Sequence, residues 1–227
     1  MCTNYISTRN EKWVKSALGV ELPATPFSDE VFPGYFAPIV YRGRESAPQC
    51  VTARFGLLPA WARDAKIGRH TYNARTETVA EKPSFRNAWR RQQFCLVLAD
   101  AIYEPSYDSG RPVRWIIRRA DHSPMAIAGL WDEWRDPATG ECVLSFTMLT
   151  VNADAHPVMR QFHKPGDEKR TVVILEEPRQ WIGPNLQAPA ALLLPPSAAL
   201  ETQPSPRRGT TLTERPAEVD LFGSSSN

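Results

Sequence analysis

The chain has 227 residues, with 27 Lys and Arg against 25 Asp and Glu, so its formal net charge is only +2. This near balance excludes a strongly polycationic nucleic-acid binder, although arginines gather at Arg86, Arg90 and Arg91 and again at Arg118 and Arg119. No apolar run approaches the roughly 18 residues of a membrane span, and the first residues lack the basic and apolar blocks of a secretory signal. We therefore expect a soluble cytoplasmic protein with no membrane partner, and a monomer by default.

Cys2 directly follows the initiator methionine. Removal of Met1 would leave an α-amine and a thiol on one residue, with reference pKa values of roughly 7.7 to 8.0 and about 8.5. Such a 1,2-aminothiol reacts characteristically with aldehydes. The amine condenses to a Schiff base, and the sulfur then closes onto the same carbon to give a five-membered thiazolidine. A cysteine at this position is by itself more often incidental, so the rest of the sequence must decide between the two interpretations.

The first predicted elements are helical and then β-like. Thr8 to Glu11 has the capping-box form, apolar residues follow at helical spacing, and Gly19 provides a stop. Residues 36–40 and 51–55 have strand-like patterns separated by Pro and Gly. A second helix is predicted over residues 81–91, where aromatic residues recur four positions apart.

Four apolar runs follow and predict consecutive strands of a mostly antiparallel sheet. They cover residues 94–103, 113–117, 125–131 and 143–151. A last strand is predicted over residues 171–175 and a short closing helix over residues 178–182. Because strands do not alternate regularly with helices, the pattern favours the α+β class. The remaining cysteines form no CxxC pair, and no ligand cluster has metal spacing, so neither a metal nor an organic cofactor is implied.

Beyond residue 182 the composition changes to Pro, Ala, Ser and Thr with little periodicity. This change predicts one domain over residues 1–182 and a disordered tail over residues 183–227. Near the end, Glu218 to Phe222 reads Glu-Val-Asp-Leu-Phe, an aliphatic and aromatic pair in a polar context. It resembles the Gln-Leu-Asp-Leu-Phe type of peptide with which bacterial proteins bind the replication sliding clamp. Docking on the clamp by a flexible tether is one interpretation, and chance is the other.

Polar residues in three further segments are candidates for chemistry. Asn73 offers both a donor and an acceptor, and Arg75 offers a planar fork suited to phosphate. Glu104 ends a long apolar strand, where desolvation would raise its pKa and suit it to general acid catalysis. His163 is the histidine that we select, since the other three lie in polar or loop contexts. A turn-forming Asn and an exposed strand-end Glu are the alternatives.

Seven short motifs occur in a fixed order and are highly specific as a set. They are Met1-Cys2, Phe55 to Ala62, Asn73 to Thr78, Lys82 to Arg86, Leu98 to Glu104, Ala128 to Trp131 and Leu149-Thr150. With these motifs, the chain from Met1 to about Leu175 resembles the SOS response-associated peptidase (SRAP) family of abasic-site processing proteins. The resemblance implies a mostly antiparallel, barrel-like sheet with a few short flanking helices.

The resemblance also implies a covalent trap for abasic sites in single-stranded DNA, acting in the bacterial DNA damage and SOS response at the nucleoid. Cys2 would form a thiazolidine with the ring-opened sugar aldehyde and shield the lesion. Asn73 would position the amine and the sugar, and Glu104 would be the acid/base residue that opens the sugar. His163 would stabilise the sugar oxygen and the intermediate.

The DNA contacts implied by the resemblance are phosphate contacts by Arg75 and Arg86, on either side of the lesion, and a stacking wedge formed by Pro38 and Phe55. The Schiff base would also permit strand cleavage by β-elimination, so lyase activity can accompany trapping. Autopeptidase activity, in which the α-amine serves as base and the protein removes Met1 itself, is a further possibility. Two alternatives remain: an N-terminal-cysteine peptidase, and a non-catalytic single-strand-binding module in which Cys2 is incidental.

Several residues depart from the family pattern. Thr3 and Asn4 follow the cysteine where Gly and Arg are usual, and Phe55 stands where Trp is usual. The family's His-Asp-Arg-Met-Pro is replaced by a segment that reads His-Lys-Pro-Gly-Asp-Glu from His163 to Glu168. These differences indicate a divergent branch, in which substrate preference or crosslink reversal could be altered.

If the clamp-docking interpretation holds, a synthetic peptide spanning Ala217 to Ser224 should bind the purified sliding clamp of the host through its aliphatic and aromatic pair. Fluorescence anisotropy of the labelled peptide measures this binding. The control peptide carries Leu221→Ala and Phe222→Ala and should not bind. The absence of measurable binding by the native peptide would remove the hypothesis.

Overall fold

The computed structural model describes residues 2–43, 47–184 and 186–206. Eleven strands of this part of the chain form one sheet. The strands are β1 (Asn4–Ser7), β2 (Glu30–Val31), β3 (Phe36–Tyr41), β4 (Gln49–Phe55), β5 (Asn73–Arg75), β6 (Phe94–Ser106), β7 (Val113–Arg119), β8 (Met125–Arg135), β9 (Cys142–Asn152), β10 (Arg170–Val172) and β11 (Leu200–Pro204). The α-helices are α1 (Glu11–Trp13), α2 (Arg86–Arg90) and α3 (Pro178–Trp181), and a π-helical turn (Val14–Leu18) extends α1. Short 3-10 helices cover Ala65–Arg69, Met159–Gln161 and Pro189–Leu192.

Five of the strands close into a barrel. The pairs run from β9 to β4, β4 to β3, β3 to β6, β6 to β8, and from β8 back to β9. All are antiparallel except β4 with β9, which places Phe55 beside Phe146 in a parallel ladder. The predicted α+β fold, with a mostly antiparallel barrel-like sheet and a few short helices, is confirmed.

Strand β6 is buried on both faces along most of its length, which explains why it reads as a long apolar run. Successive side chains of a strand point to opposite faces. In β6, Val97 therefore packs in the barrel interior, while Leu96 and Leu98 pack on the outer face beneath the helices. The indole of Trp181 in α3 belongs to this outer layer and donates to the carbonyls of Cys95 and Gly129, at 3.1 and 3.2 Å.

Both predicted N-terminal and central helices exist, with different bounds. Asn10 caps α1 by accepting a hydrogen bond from the backbone amide three residues further on, and Gly19 ends the π-helical turn at φ 74°. The predicted helix over residues 81–91 is confined to Arg86–Arg90, because the residue before Pro83 is disfavoured in helical geometry and the chain there forms turns. None of the helices in the described ranges has the length and apolar content that crossing a membrane requires.

The structure corrects the predicted start of the tail at residue 183. Leu200–Pro204 forms β11, which pairs antiparallel with β7, and Glu201 is ion-paired with Arg118. The free edge of β7 supplies backbone donors and acceptors, so this strand forms without the apolar alternation on which the prediction relied. Regular structure therefore continues to the end of β11, whereas the proposed clamp motif at Glu218 to Phe222 lies outside the described residues.

Candidate active site

Cys2 is placed by the pairing of β1 with β6. These strands are antiparallel, with Asn4 opposite Tyr103, so the chain before Asn4 lies at the end of β6 that carries Glu104. Cys2 is 1% exposed, and its Sγ donates to the carbonyl of Asn4 at 3.3 Å. Burial, reinforced by the negative charge of Glu104, raises the pKa of the Cys2 thiol far above its ordinary value. The sulfur is therefore held as a neutral thiol.

Asn73 fixes the main chain of Cys2. It lies in β5, where its pairing with Met148 of β9 aims its side chain at the N-terminal segment. Its Nδ2 donates to the Cys2 carbonyl at 2.7 Å. Its Oδ1 is buried and has no hydrogen-bond partner within the described ranges. Since an unsatisfied buried acceptor costs roughly 1–3 kcal/mol, the arrangement is typical of a site that awaits a donor.

Glu104 is buried in β6 rather than exposed at a strand end. Its side chain is 0% exposed, and this burial raises the pKa of the carboxyl from 4.5 to about 7. Near neutral pH both its protonated and its ionised forms are populated. The same group can therefore give and accept a proton in one reaction cycle.

His163 approaches Glu104 from the segment that precedes β10. Its backbone amide donates to the carbonyl of Pro105 at 2.8 Å, and the residue adopts φ 67°, a left-handed conformation. Its Nε2 lies 2.9 Å from the carbonyl oxygen of Arg170, and since a carbonyl only accepts, Nε2 carries the ring proton. Nδ1 then carries the lone pair, and it lies 3.5 Å from Oε2 of Glu104.

The contact between Glu104 and His163 is not an ion pair near neutral pH, because the imidazole is uncharged. Burial lowers the pKa of His163 to about 4 while it raises that of Glu104, so the imidazole is uncharged when the carboxyl is half protonated. The geometry alone would also fit an ion pair, but an ion pair requires a protonated ring, which burial opposes. A protonated carboxyl facing an unprotonated Nδ1 is an arrangement through which a proton can move.

Tyr72 is a site residue that sequence reasoning missed. It precedes Asn73 and is half-buried, and its ring packs edge-on against Phe55 with centroids 5.9 Å apart. Burial, together with the neighbouring acidic groups of Cys2 and Glu104, raises the pKa of its phenol. Its position directly before Asn73 was the available signal, since a residue next to a functional Asn lies close to the same site.

The two arginines predicted to contact phosphate lie in different settings. Arg75 lies on the same face of β5 as Asn73, is half exposed, and places Nη1 2.7 Å from Oε2 of Glu168. Arg86 is exposed on α2, and in the part of the chain that the structure describes no hydrogen bond or ion pair links it to Cys2 or its neighbours. The structure therefore brings Arg75 to the site and leaves Arg86 on the surface.

The predicted stacking wedge of Phe55 and Pro38 is wrong. Phe55 is 0% exposed and points into the closed barrel, where its ring stacks on Phe146 at 5.1 Å and meets Tyr5 at 5.6 Å. Pro38 is also buried, in β3. Neither ring has a face that a nucleobase could reach.

Three exposed aromatic residues were missed as candidate stacking surfaces. Tyr35, Phe36 and Trp61 are each about half exposed, at 49%, 46% and 52%. Tyr35 lies beside the end of β4, since its carbonyl accepts a hydrogen bond from the amide of Phe55 at 2.8 Å. The sequence offered two signals for rings outside the core. Tyr35 and Phe36 are adjacent aromatics at the start of β3, and Trp61 lies in a Pro-containing loop. Exposed rings of this kind are those on which single-stranded bases stack.

Glu104→Gln is expected to change how stability depends on pH. Between about pH 4.5 and 7 the folded Glu104 keeps a proton that the unfolded carboxyl releases, so its contribution to the free energy of unfolding falls as pH rises. Relative to the variant, the wild type should lose on the order of 3 kcal/mol across this window. The lowered pKa of His163 acts in the opposite direction, but in both proteins, so it largely cancels in the difference. Urea unfolding from pH 4 to 8 measures the two curves.

The matched control is Glu81→Gln, which removes one carboxyl from an exposed position. Its stability should follow the wild-type curve throughout. A difference between the wild type and Glu104→Gln that stays constant with pH would contradict the raised pKa.

Comparison with known proteins places this geometry in a family. A sequence profile described as SOS response associated peptidase (SRAP) matches residues 1–207. The crystal structure of a Bordetella bronchiseptica protein is similar, with a TM-score of 0.80 and 34% sequence identity, covering 90% of this chain and 99% of that chain.

Curated relatives match a shorter part of the chain. The abasic site processing protein YoaM of Bacillus subtilis is 31% identical over 146 residues, which are 63% of this chain and 61% of YoaM. The abasic site processing protein HMCES of Xenopus tropicalis is 29% identical over 130 residues, covering 48% of this chain and 38% of HMCES. The matches thus span less than two thirds of each of these relatives. Because the family profile covers the chain from its first residue to beyond β11, the protein belongs to the SRAP family.

Proposed function

We propose that this protein processes abasic sites in single-stranded DNA by forming a thiazolidine crosslink through Cys2 after Met1 is removed. The observation that carries the proposal is the buried cluster of Cys2, Asn73, Glu104 and His163. These polar side chains come from four separate segments, and a hydrophobic core alone gives no reason to bury them together. The names of the curated relatives support the choice of an abasic site as the aldehyde source.

Sugar opening is the first chemical step. An abasic deoxyribose is mainly a cyclic hemiacetal, and its aldehyde appears when the ring oxygen gains a proton and the anomeric hydroxyl loses one. Glu104, with its pKa raised to about 7, can supply the first proton. The unprotonated Nδ1 of His163 lies beside it and can accept or hold the second through a hydrogen bond.

Capture of the aldehyde begins with the amine. Burial keeps the Cys2 sulfur as a neutral thiol, so the α-amine is the stronger nucleophile at neutral pH. Its addition gives a carbinolamine, and loss of one water, with the hydroxyl protonated by Glu104, leaves an iminium. The thiol then adds to the same carbon and gives up its proton, which closes the thiazolidine. The free Oδ1 of Asn73 can accept a hydrogen bond from the amine and orient its lone pair.

Two other functions remain candidates. An N-terminal-cysteine peptidase would use the same amine and thiol on a peptide bond, and a single-strand-binding module would use neither. Strand cleavage by β-elimination would proceed from the same iminium. In a DNA assay, crosslinking gives a denaturation-resistant band and β-elimination gives a shortened oligonucleotide, whereas the peptidase and the binding module both leave the oligonucleotide unmodified.

Cys2→Ala is expected to abolish crosslinking. Purified protein without Met1 is mixed with a single-stranded oligonucleotide bearing one abasic site, and a denaturing gel should show a band of protein plus DNA. Cys142→Ala, which removes an exposed thiol, is the matched control and should crosslink normally.

Protein that keeps Met1 should also fail to crosslink the DNA, because its Cys2 nitrogen is part of an amide. A wild type without a denaturation-resistant band refutes the proposal, and a shortened oligonucleotide would identify lyase activity.

Glu104→Gln is expected to slow crosslinking about 10- to 100-fold, because an amide keeps the shape of the side chain but cannot transfer a proton. Affinity for an intact oligonucleotide of the same sequence should stay within about twofold, since Glu104 is buried. Quenched time courses give the rate, and fluorescence anisotropy gives the affinity. A large loss of affinity with an unchanged crosslinking rate would show that Glu104 binds rather than catalyses.

A further inference from the structure

The carboxylate of Glu168 bridges two arginines beside the candidate active site. Its Oε2 lies 2.7 Å from Nη1 of Arg75, and its Oε1 lies 2.6 Å from Nη1 of Arg170. Two carboxylate oxygens held between two guanidinium groups reproduce the geometry with which arginines bind the oxygens of a phosphate. Glu168 therefore occupies an anion site.

The two arginines are not equally committed to Glu168. Arg170 is 2% exposed, and it also donates to Oε2 of Glu77 at 2.8 Å and to the carbonyl of Thr150 at 2.7 Å. Those contacts keep Arg170 fixed and balance its charge without Glu168. Arg75 is half exposed, so water or a ligand can reach its guanidinium group. The contact between Arg75 and Glu168 is the one that an incoming anion could exchange.

Glu168 is ionised when it makes these contacts. Partial burial opposes its charge, but the hydrogen bond from Asn152 and the charges of Arg170 and Arg75 outweigh it and lower the pKa of the carboxyl. Glu168 lies at the end of the exposed segment 164–168, which follows His163. A side chain on an exposed segment can move away from Arg75 without disturbing the barrel.

The anion site lies near the place where the proposed DNA substrate would reach Cys2. Arg75 is two residues from Asn73 on one face of β5, and Asn73 holds the carbonyl of Cys2. A sugar that reaches Cys2 therefore brings its neighbouring phosphates close to Arg75.

We propose that Glu168 is an internal stand-in for a DNA phosphate, which occupies Arg75 in the free protein and is displaced when single-stranded DNA binds. The inference rests on the proposed function, because it requires DNA to approach Cys2. Displacement lowers the affinity for every single strand by the same factor. Undamaged DNA therefore dissociates readily, while an abasic site is retained by the covalent bond that Cys2 forms.

Glu168→Gln tests the proposal, since glutamine keeps the shape of the side chain and removes its charge. Fluorescence anisotropy with an undamaged oligothymidylate should show about two- to fivefold tighter binding at low salt, the range expected for one exposed ion pair. The slope of log affinity against log salt should steepen by about one. Arg75 is then no longer neutralised by Glu168, so its binding to a phosphate releases one more counterion from the DNA.

Two controls separate this effect from a general change of charge. Glu141→Gln, at an exposed position in the turn before β9, removes the same charge elsewhere and should leave affinity within error. In an Arg75→Gln background, Glu168→Gln should have no further effect, because the exchangeable partner is gone. Thermal unfolding confirms that each variant is folded.

The outcomes decide between distinct conclusions. An equal gain in the Arg75→Gln background, or with Glu141→Gln, overturns the proposal in favour of a diffuse electrostatic effect. Weaker binding by Glu168→Gln overturns it too, since Glu168 would then orient Arg75 for phosphate. If wild type crosslinks abasic DNA but Glu168→Gln changes no affinity, this inference alone fails. If the wild type neither binds nor crosslinks single-stranded DNA, both this inference and the proposed function fail.

Discussion

The antiparallel pairing of β1 with β6 is the contact on which the site depends. It brings an otherwise free chain end against the strand that carries Glu104, and the hydrogen bond from Asn73 then fixes the Cys2 carbonyl from the opposite side. Without this register, a residue at the second position of the chain would fray into solvent, as chain ends generally do. The barrel thus converts a terminal residue into a buried one, and burial is what sets the chemistry of the cluster.

Burial acts in opposite senses on the acid and on the base. It raises the pKa of Glu104 to about 7 and lowers that of His163 to about 4, since it penalises the charged form of each. The result is a neutral imidazole facing a carboxyl that can hold or release one proton near pH 7, which suits the proposed reaction, in which a sugar oxygen and later a leaving hydroxyl are protonated. Burial also keeps the Cys2 thiol neutral, so in the proposed reaction the amine attacks first.

The sequence predicted the strands of the barrel and the residues of the cluster for different reasons. The strands followed from apolar runs, and the cluster followed from motifs that resemble the family. The inward position of Phe55 could not be predicted, because both faces of a closed barrel are buried and periodicity does not tell them apart. Strand β11 was missed because backbone pairing with the edge of β7 needs no apolar pattern. The bridge from Arg75 to Glu168 joins residues 93 positions apart, and local sequence carries no signal for it.

Arg170 connects the acid–base pair to the anion site through two different groups. Its carbonyl accepts the Nε2 proton of His163 and so fixes the tautomer that presents Nδ1 to Glu104. Its guanidinium group holds Glu168, which in turn holds Arg75. In the proposed function, the backbone of this one residue would serve the proton chemistry and its side chain the phosphate contact. Because Glu77 and Thr150 anchor that side chain independently, displacement of Glu168 leaves the Arg170 carbonyl in place, and the anion site can exchange its occupant without disturbing the histidine.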